Sequence, residues 1–213
     1  MEQPSLFHTA ANYVTAKRQH DCGRSLLRTI AGLLCNVAKC VPLLVQQNMD
    51  GSNFFNRSWA EFRVGFSDLR GNYWLGNERL HRLTTSGRYK LRFDLQALNH
   101  SWYYTEYSSL SVFNETSNYK IRVSGYQGNA GDALWYSDGK MFTTFDRDND
   151  RRSVSDGNCA VRTGGGFWHS NCTYCGVNVI RGRPDDFKWR GRLGTQNVAI
   201  TLNLQSSRMW LTC

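Results

Sequence analysis

The sequence lacks an apolar run long enough to cross a membrane. The apolar segment nearest the start, residues 30–45, is interrupted by Lys39 and Pro42 and falls short of the roughly 20 residues that a spanning helix needs. We therefore expect no membrane span. The residues from Met1 to Ser5 also lack the basic and then apolar pattern of a secretory signal peptide. If the protein is exported, either its true N-terminus is missing, its start is mispredicted, or export follows another route.

Motifs that mark common enzymes and nucleic-acid-binding proteins are missing as well. The sequence has no Gly-x-Ser-x-Gly elbow, no His-Glu-x-x-His motif and no phosphate loop, and its glycines between 125 and 131 have the wrong spacing for a dinucleotide turn. We predict that the protein is not an enzyme. The net charge is +9 and is densest in residues 181–192, yet no helix-turn-helix, zinc-finger or RNA-binding pattern accompanies it. We predict no nucleic-acid partner; the basic stretch is either a solvated face or a contact for a sulfated or sialylated glycan.

Proline is scarce, at 3 residues, whereas glycine is abundant, at 19, a balance that favours tight turns and loops. The sequence also has seven cysteines, which indicate an oxidising compartment. Four Asn-x-Ser/Thr sequons agree with export, at Asn56, Asn99, Asn114 and Asn171. We therefore expect a secreted, extracellular glycoprotein.

A short acidic stretch carries the strongest chemical signal. Asp146, Asp148 and Asp150 stand at every second position, so that their oxygens can be aimed at one point, as a hard cation such as calcium requires. Cys159 and Cys172 follow, 13 positions apart. A cation and a covalent link in one region indicate a loop-built surface of the kind that binds ligands outside the cell.

Two other uses of the cysteines are less favoured. A zinc site would combine Cys172 and Cys175 with Cys35 and Cys40, whereas structural zinc usually draws its ligands from one compact module. A redox pair at Cys172 and Cys175 would need a βαβ pattern that the sequence does not have.

The hydrophobic periodicity predicts a mixture of short helices and strands. A capping box at Ser58 and Glu61 opens a helix that ends near Gly65, and Asn77 is the predicted N-cap of a second helix over 77–83. Alternating residues predict strands over 89–95, 103–112, 119–123 and 198–204. Because about seventy irregular residues separate the last strand from the others, we expect it to return to the same sheet. The composition shifts at Asp50, which separates an N-terminal segment, 1–49, from the rest of the protein.

Several motifs in the domain are long and specific. They are Asp50-Gly-Ser52, Tyr73-Trp-Leu-Gly-Asn77-Glu-Arg-Leu, Gly125-Tyr-Gln-Gly-Asn-Ala-Gly-Asp132, Asp146-Arg-Asp-Asn-Asp150 and Trp189-Arg-Gly191. In these segments the sequence resembles the fibrinogen C-terminal (fibrinogen-related) domain of ficolins, tachylectins, angiopoietins and tenascins. The resemblance covers residues 50–205, which it implies are one domain followed by a short tail, 206–213. It also implies an α+β fold: a twisted antiparallel sheet, short helices and a loop-rich C-terminal subdomain that binds calcium.

The resemblance also implies site residues. Calcium (Ca²⁺) would be bound by the carboxylates of Asp148 and Asp150 and the carbonyls of Arg152 and Val154. Cys159 stands three positions farther from the aspartates than in the family, so Gly157 is an alternative to Val154. Cys159 and Cys172 would form the loop disulfide.

The ligand pocket of the family would fall on Cys172, Thr173, Tyr174, Phe187 and Trp189. Two departures alter it, since Thr173 and His169 replace the His and Tyr that the family favours. The bond between Asn171 and Cys172 is a candidate cis peptide, and a glycan on Asn171 would crowd this pocket.

The N-terminal cysteines fit the family less well. Cys22 would pair with Cys35 or Cys40, yet the glycine-rich strand expected before Asp50 is absent. Cys175 and Cys213 are extra to the family pattern, and Cys213 could tether a second polypeptide.

Two functions follow from the resemblance. The main expectation is a secreted, calcium-dependent, lectin-like module that binds acetylated glycans in innate defence. The alternative is a matrix-adhesion or receptor-ligand domain that binds extracellular protein partners. A single domain binds sugars weakly, so a homo-oligomer is expected for avidity.

Overall fold

The computed structural model describes residues 41–212. The predictions on residues 1–40, including those on Cys22, Cys35 and Cys40, and on Cys213 lie outside this part. The described residues form eight strands: β1 (Leu43–Asn48), β2 (Phe66–Ser67), β3 (Tyr73–Trp74), β4 (Lys90–Ala97), β5 (Trp102–Val112), β6 (Ile121–Gly128), β7 (Lys188–Leu193) and β8 (Val198–Thr212). The α-helices are α1 (Trp59–Val64), α2 (Asn77–Ser86) and α3 (Cys159–Thr163), and 3-10 turns lie at Asn53–Phe55, Glu115–Ser117, Leu134–Tyr136 and Val154–Asp156. Among these residues no helix is long and apolar enough to span a membrane.

The strands form one sheet in the order β2-β3-β1-β8-β4-β5-β6, with β7 beside β8. The long β8 has three neighbouring strands: residues 198–203 pair antiparallel with β7, residues 204–212 pair antiparallel with β4, and β1 is the third neighbour. The predicted return of the last strand to the sheet is confirmed, and so is the α+β class. The prediction of a short tail over 206–213 is wrong, since β8 continues through Thr212 in the middle of the sheet.

Local sequence signals account for much of this arrangement. In α1, the Ser58 side chain accepts a hydrogen bond from the Glu61 N–H, and the Glu61 carboxylate accepts one from the Ser58 N–H. In β4, alternate residues from Leu91 to Ala97 are buried, as the period of two predicts. The second helix differs in its cap: Gly76 is the N-cap, and Asn77 lies inside α2, where its side-chain oxygen accepts a hydrogen bond from the Trp74 indole.

Residues 129–187, between β6 and β7, form the loop lobe. An aromatic cluster anchors this lobe to the rest of the fold: Phe142 and Trp168 from the lobe pack against Phe62 and Trp74, with ring centroids 5.0 to 6.1 Å apart. The Trp168 indole also donates to the Tyr119 carbonyl at 2.7 Å. Burial of four large rings at one point holds a lobe that has little regular structure of its own.

Candidate functional site

The loop lobe is closed by a disulfide between Cys159 and Cys172, whose Cα atoms are 5.1 Å apart. Both residues are buried. Cys159 is the first residue of α3, and the Asn158 side chain caps this helix by accepting hydrogen bonds from the Ala160 and Val161 N–H groups. The structure thus brings together the two cysteines that the family resemblance paired.

The Asp150 carboxylate is held next to the disulfide by two backbone N–H groups. One carboxylate oxygen accepts from the Arg152 N–H and the other from the Cys159 N–H, both at 2.7 Å. Because Cys159 belongs to the disulfide, the position of Asp150 depends directly on that covalent link.

Asp148 lies beside Asp150, and its carboxylate accepts a hydrogen bond from the Asp150 N–H at 3.2 Å. Partial burial raises the pKa of Asp148, and the neighbouring Asp150 charge raises it further, against the lowering effect of this hydrogen bond. Two carboxylates that repel each other at one place are a suitable pair for a hard cation. Within the described residues they do not form part of a cluster of three acidic, cysteine or histidine ligands.

Asp146 does not join them, so the expectation that three aspartates aim at one point is wrong. Its carboxylate turns back toward α1, where it accepts from the Trp59 N–H at 2.9 Å and from the Thr144 hydroxyl at 2.7 Å. The three aspartates therefore have different contacts: Asp146 connects the lobe to α1, whereas Asp148 and Asp150 lie next to each other.

The other two predicted calcium ligands lie just beyond. Arg152 points its guanidinium toward the disulfide, with Nη1 3.5 Å from the Cys172 sulfur. Val154 is almost fully exposed and begins a 3-10 turn. Because the predicted ligands of both residues are backbone carbonyls, neither side chain needs to reach the ion. The residues present fit a cation held by Asp148 and Asp150.

The predicted ligand pocket is closed. Cys172, Thr173, Phe187 and Trp189 are all buried, and Tyr174 alone of the five is partly exposed. Trp189 packs on Phe93 with ring centroids 5.1 Å apart, and its indole donates to the Gly131 carbonyl. Phe187 and Trp189 are therefore core residues, and the prediction of them as pocket walls is wrong.

Several polar groups near the predicted pocket form hydrogen bonds within the protein. The Thr173 hydroxyl exchanges hydrogen bonds with the Cys175 backbone, and the Arg190 guanidinium donates to the Thr173 carbonyl at 3.3 Å. His169 is buried, with Nε2 2.9 Å from the Gly165 carbonyl oxygen. The described residues include no cis peptide, so the bond between Asn171 and Cys172 is trans.

The four sequon asparagines are all exposed: Asn56, Asn99, Asn114 and Asn171. Exposure is what a glycan at these positions requires. Cys175, in contrast, is a buried free cysteine.

Exposed apolar side chains occur along the loop lobe, a feature that the sequence did not single out. Met141, Phe145, Val154 and Val161 are each more than 40 % exposed. An aromatic group lies on the same lobe: the Trp135, Tyr136 and Tyr174 rings have centroids 4.6 to 5.8 Å apart. No sequence signal could have found these surfaces, because apolar residues in irregular segments have no periodicity that tells the buried from the exposed.

Comparison with known proteins gives a consistent set of relatives. The family model of the C-terminal globular domain of fibrinogen beta and gamma chains matches residues 36–205. Tenascin-R of Rattus norvegicus is 40% identical over 136 residues, which are 64% of this protein and 10% of the relative. Fibroleukin of Bos taurus is 40% identical over 153 residues, with shares of 70% and 34%. Angiopoietin-related protein 2 of Homo sapiens is 40% identical over 129 residues, with shares of 61% and 26%.

The match therefore spans only a tenth to about a third of the length of these curated relatives. Among solved structures, the fibrinogen-like globe domain of human ANGPTL2 aligns with a TM-score of 0.68 and 32% identity, over 80% of this protein and 79% of that one. The lamprey fibrin D-dimer, complexed with a Gly-His-Arg-Pro-amide peptide, aligns with a TM-score of 0.63 and 27% identity, over 79% and 60%.

Proposed function

Because the protein belongs to the family defined by the C-terminal globular domain of fibrinogen beta and gamma chains, we propose that it is an extracellular recognition domain that binds protein partners, in matrix adhesion or as a receptor ligand. Two relatives named above, tenascin-R and angiopoietin-related protein 2, support this function over a lectin. The burial of Phe187 and Trp189 supports it too, because these two residues of the predicted pocket are core residues. The proposal assigns no catalytic role to any residue.

The observation that carries the proposal is the exposed apolar surface of the loop lobe. Phe145 is 45% exposed and Val154 is 99% exposed, on a lobe that a disulfide and an aromatic cluster hold in place. Apolar side chains on an ordered surface are a frequent feature of protein interfaces. A rigid lobe binds with little loss of conformational entropy, since its loops are already ordered before contact.

Calcium has a supporting role in this proposal. An ion between Asp148 and Asp150 would cancel their repulsion and stabilise the segment that leads to Val154. The ion would supply charge neutralisation and loop order, and the apolar residues would supply the contact. An extracellular location is consistent with this role of calcium. The cysteines, the exposed sequons and the relatives all favour a secreted protein.

The test is binding of the full-length protein, secreted from cells, to extracellular matrix and to cell surfaces. We expect saturable binding that the double variant Phe145→Ser, Val154→Ser reduces about tenfold or more, because these side chains lose their apolar contact. Leu98→Ser is the matched control, because Leu98 is similarly exposed but lies in the turn between β4 and β5. Equal loss in the control would argue against the loop lobe as the contact surface.

The same preparation tests the lectin function. Retention on N-acetylglucosamine beads, with elution by free acetate or a chelator, would contradict the proposal and restore the acetylated-glycan expectation. A mass measurement in solution would determine whether the protein forms the homo-oligomer that avidity favours.

A further inference from the structure

The rings of Trp135, Tyr136 and Tyr174 form an exposed aromatic group on the loop lobe, which we name the aromatic trio. Their centroids lie 4.6 to 5.8 Å apart. The Arg192 guanidinium lies over one face of the Trp135 ring, with Cζ 4.0 Å from its centre, and still leaves this tryptophan 38% exposed. Tyr136 and Tyr174 are half-buried. The protein-contact surface proposed above does not include the trio.

A glycosylation sequon begins directly beside the trio. The Tyr136 hydroxyl donates a hydrogen bond to the Asn171 carbonyl at 3.3 Å, and Tyr174 follows Asn171 by three positions. Asn171 is exposed, and among the described residues no hydrogen bond engages its side chain. Its amide is therefore free to carry a glycan.

The sequon depends on a residue that departs from the family pattern. Thr173 completes Asn171-Cys172-Thr173, and a histidine at this position would leave Asn171 without a sequon. In the folded protein Thr173 is only 4% exposed, and its hydroxyl exchanges hydrogen bonds with the Cys175 backbone. Because the threonine is part of the recognised sequence, the glycan must be attached before this segment folds and before the disulfide at Cys172 closes.

The covalent step is a group transfer to the asparagine amide. The Asn171 Nδ2 atom bonds to the anomeric carbon of a lipid-linked oligosaccharide diphosphate and loses one proton. The lipid diphosphate leaves with the electron pair of the broken C–O bond. The product is a bulky oligosaccharide attached next to the aromatic trio.

The chemistry of the attached glycan suits the rings beside it. One face of a sugar ring carries C–H groups, which pack against aromatic rings. The contact of one sugar with one ring is weak in solution. A glycan on Asn171 is tethered, however, so its effective concentration at the trio is on the order of millimolar, which offsets the weak affinity.

We propose that an N-linked glycan on Asn171 folds back over the aromatic trio and covers it. This cover keeps an exposed aromatic surface from contact with other apolar surfaces. The fraction of molecules that carry the glycan then sets how much of the trio is accessible to partners. The inference rests on export through the secretory pathway, which the proposed function also requires.

The first measurement is the occupancy of Asn171 in the full-length protein secreted from cells. Enzymatic removal of the glycan converts Asn171 to aspartate, which the mass of the peptide records. We expect a glycan on Asn171 in the native protein and in Thr173→Ser, which keeps both the sequon and the hydroxyl. Asn171→Gln removes this glycan alone.

The second measurement is hydroxyl-radical oxidation of the folded protein, read residue by residue by mass spectrometry. If the glycan lowers the exposure of Trp135 from 38% to about 10%, the range of a nearly buried side chain, its oxidation slows about fourfold, in proportion to the exposed area. Asn171→Gln is therefore expected to oxidise about fourfold faster at Trp135 than the native protein, and faster at the two tyrosines as well.

Two controls separate a local cover from a general change. Asn99→Gln removes a sequon in the turn between β4 and β5 and is expected to leave oxidation of the trio unchanged. Trp102, which is 50% exposed, is expected to oxidise equally in the native protein and in Asn171→Gln. Enzymatic deglycosylation of the folded native protein gives the same comparison without a substitution, so the question is decided even where a variant is not secreted.

An unmodified Asn171 throughout the secreted protein would overturn the proposal. Equal oxidation of the trio with and without the glycan would overturn it too, because the glycan would then lie elsewhere or something else would cover the rings. An equal rise in Asn99→Gln would mean that loss of any glycan loosens the fold. None of these measurements uses a binding partner, so an unmodified Asn171 in protein that still binds matrix would refute this inference and leave the proposed function standing.

Discussion

Replacing Cys159 and Cys172 together by alanine is expected to lower the free energy of unfolding by about 3 kcal/mol. The link closes a loop with a sequence separation of 13. In the loop-entropy model, a link of this length restricts the unfolded state by about 10 cal/mol/K, or about 3 kcal/mol at 25 °C. For a domain of this size, that loss corresponds to a decrease in Tm of roughly 6 to 12 °C.

The structure adds a second, local effect. On one side of the disulfide, the Cys159 N–H donates to Asp150. On the other side, the Ser170 N–H donates to the Cys172 carbonyl, and the Arg151 N–H donates to the Ser170 carbonyl. The two cysteines therefore connect, directly or through Ser170, to the adjacent residues Asp150 and Arg151. Its removal is expected to abolish any stabilisation by calcium, beyond the general loss of stability.

Thermal melts of the non-reduced protein, followed by circular dichroism, measure both effects. Cys175→Ala is the control, because Cys175 is a buried cysteine without a disulfide. Its substitution removes a sulfur atom but no covalent constraint. A loss in the double variant no larger than in this control would refute the argument from loop entropy, and a calcium shift that survives in the double variant would refute the link through Asp150.

Three further predictions concern other parts of the molecule. Calcium at about 1 mM is expected to stabilise the protein by about 1.4 kcal/mol if its Kd is on the order of 10⁻⁴ M. Asp148→Asn should abolish this effect and slightly raise the calcium-free Tm, because it removes the repulsion with Asp150; a melt insensitive to both calcium and chelator would remove the site. Burial lowers the pKa of His169 in the folded state. Below pH about 6.5, the unfolded state therefore binds a proton at this histidine that the folded state does not bind. The free energy of unfolding should decrease as the pH is lowered, by up to about 1.4 kcal/mol per pH unit. Denaturant titrations between pH of about 6.5 and 5.5 should show this slope in the native protein and a flatter one in His169→Gln; equal slopes would mean that His169 is not the group responsible. A side chain at Gly191 would meet the Ala130 carbonyl oxygen at 2.5 Å, so Gly191→Ala is expected to cost about 1–3 kcal/mol. Gly87→Ala should cost less, because φ is negative there and the nearest atom belongs to the Tyr89 side chain, at 3.0 Å; similar unfolding midpoints for the two variants would contradict this packing argument.

Local chemistry made parts of the fold predictable. The capping box at Ser58 and Glu61 involves residues three positions apart, so the sequence contains the whole motif. The alternation in β4 and β8 reflects one buried face, which is a property of each strand by itself.

β1 escaped prediction because its partners are distant. Gln46 and Asn48 are buried polar residues, and their side-chain amides both donate to the Val177 carbonyl, at 3.1 and 2.8 Å. A polar strand can be buried only where other segments supply hydrogen-bond acceptors for its side chains. The periodicity of the strand itself does not predict such acceptors.

The candidate site, like the fold, was predictable from the sequence only where its residues lie close together in the sequence. The spacing of the aspartates and cysteines identified the segment, because the ligands of a cation and the ends of a short loop lie close in the sequence. Whether Asp146 joins the others, however, depends on the Trp59 N–H, 87 positions away. Phe187 and Trp189 could be pocket or core by composition; both are buried, and Trp189 is fixed in the core by its packing on β4.

The amino-acid order alone determined the family, the class of fold and the segment that carries the acidic pair and the disulfide, because those features are written in neighbouring residues. The tertiary structure decided which side chains are covered and which meet across the sheet: it buried Phe187 and Trp189 of the expected pocket and placed Asp132 beside Arg192. The physical reason is that burial and hydrogen bonding between remote segments depend on positions in space, whereas caps, alternation and short loops depend on positions along the sequence.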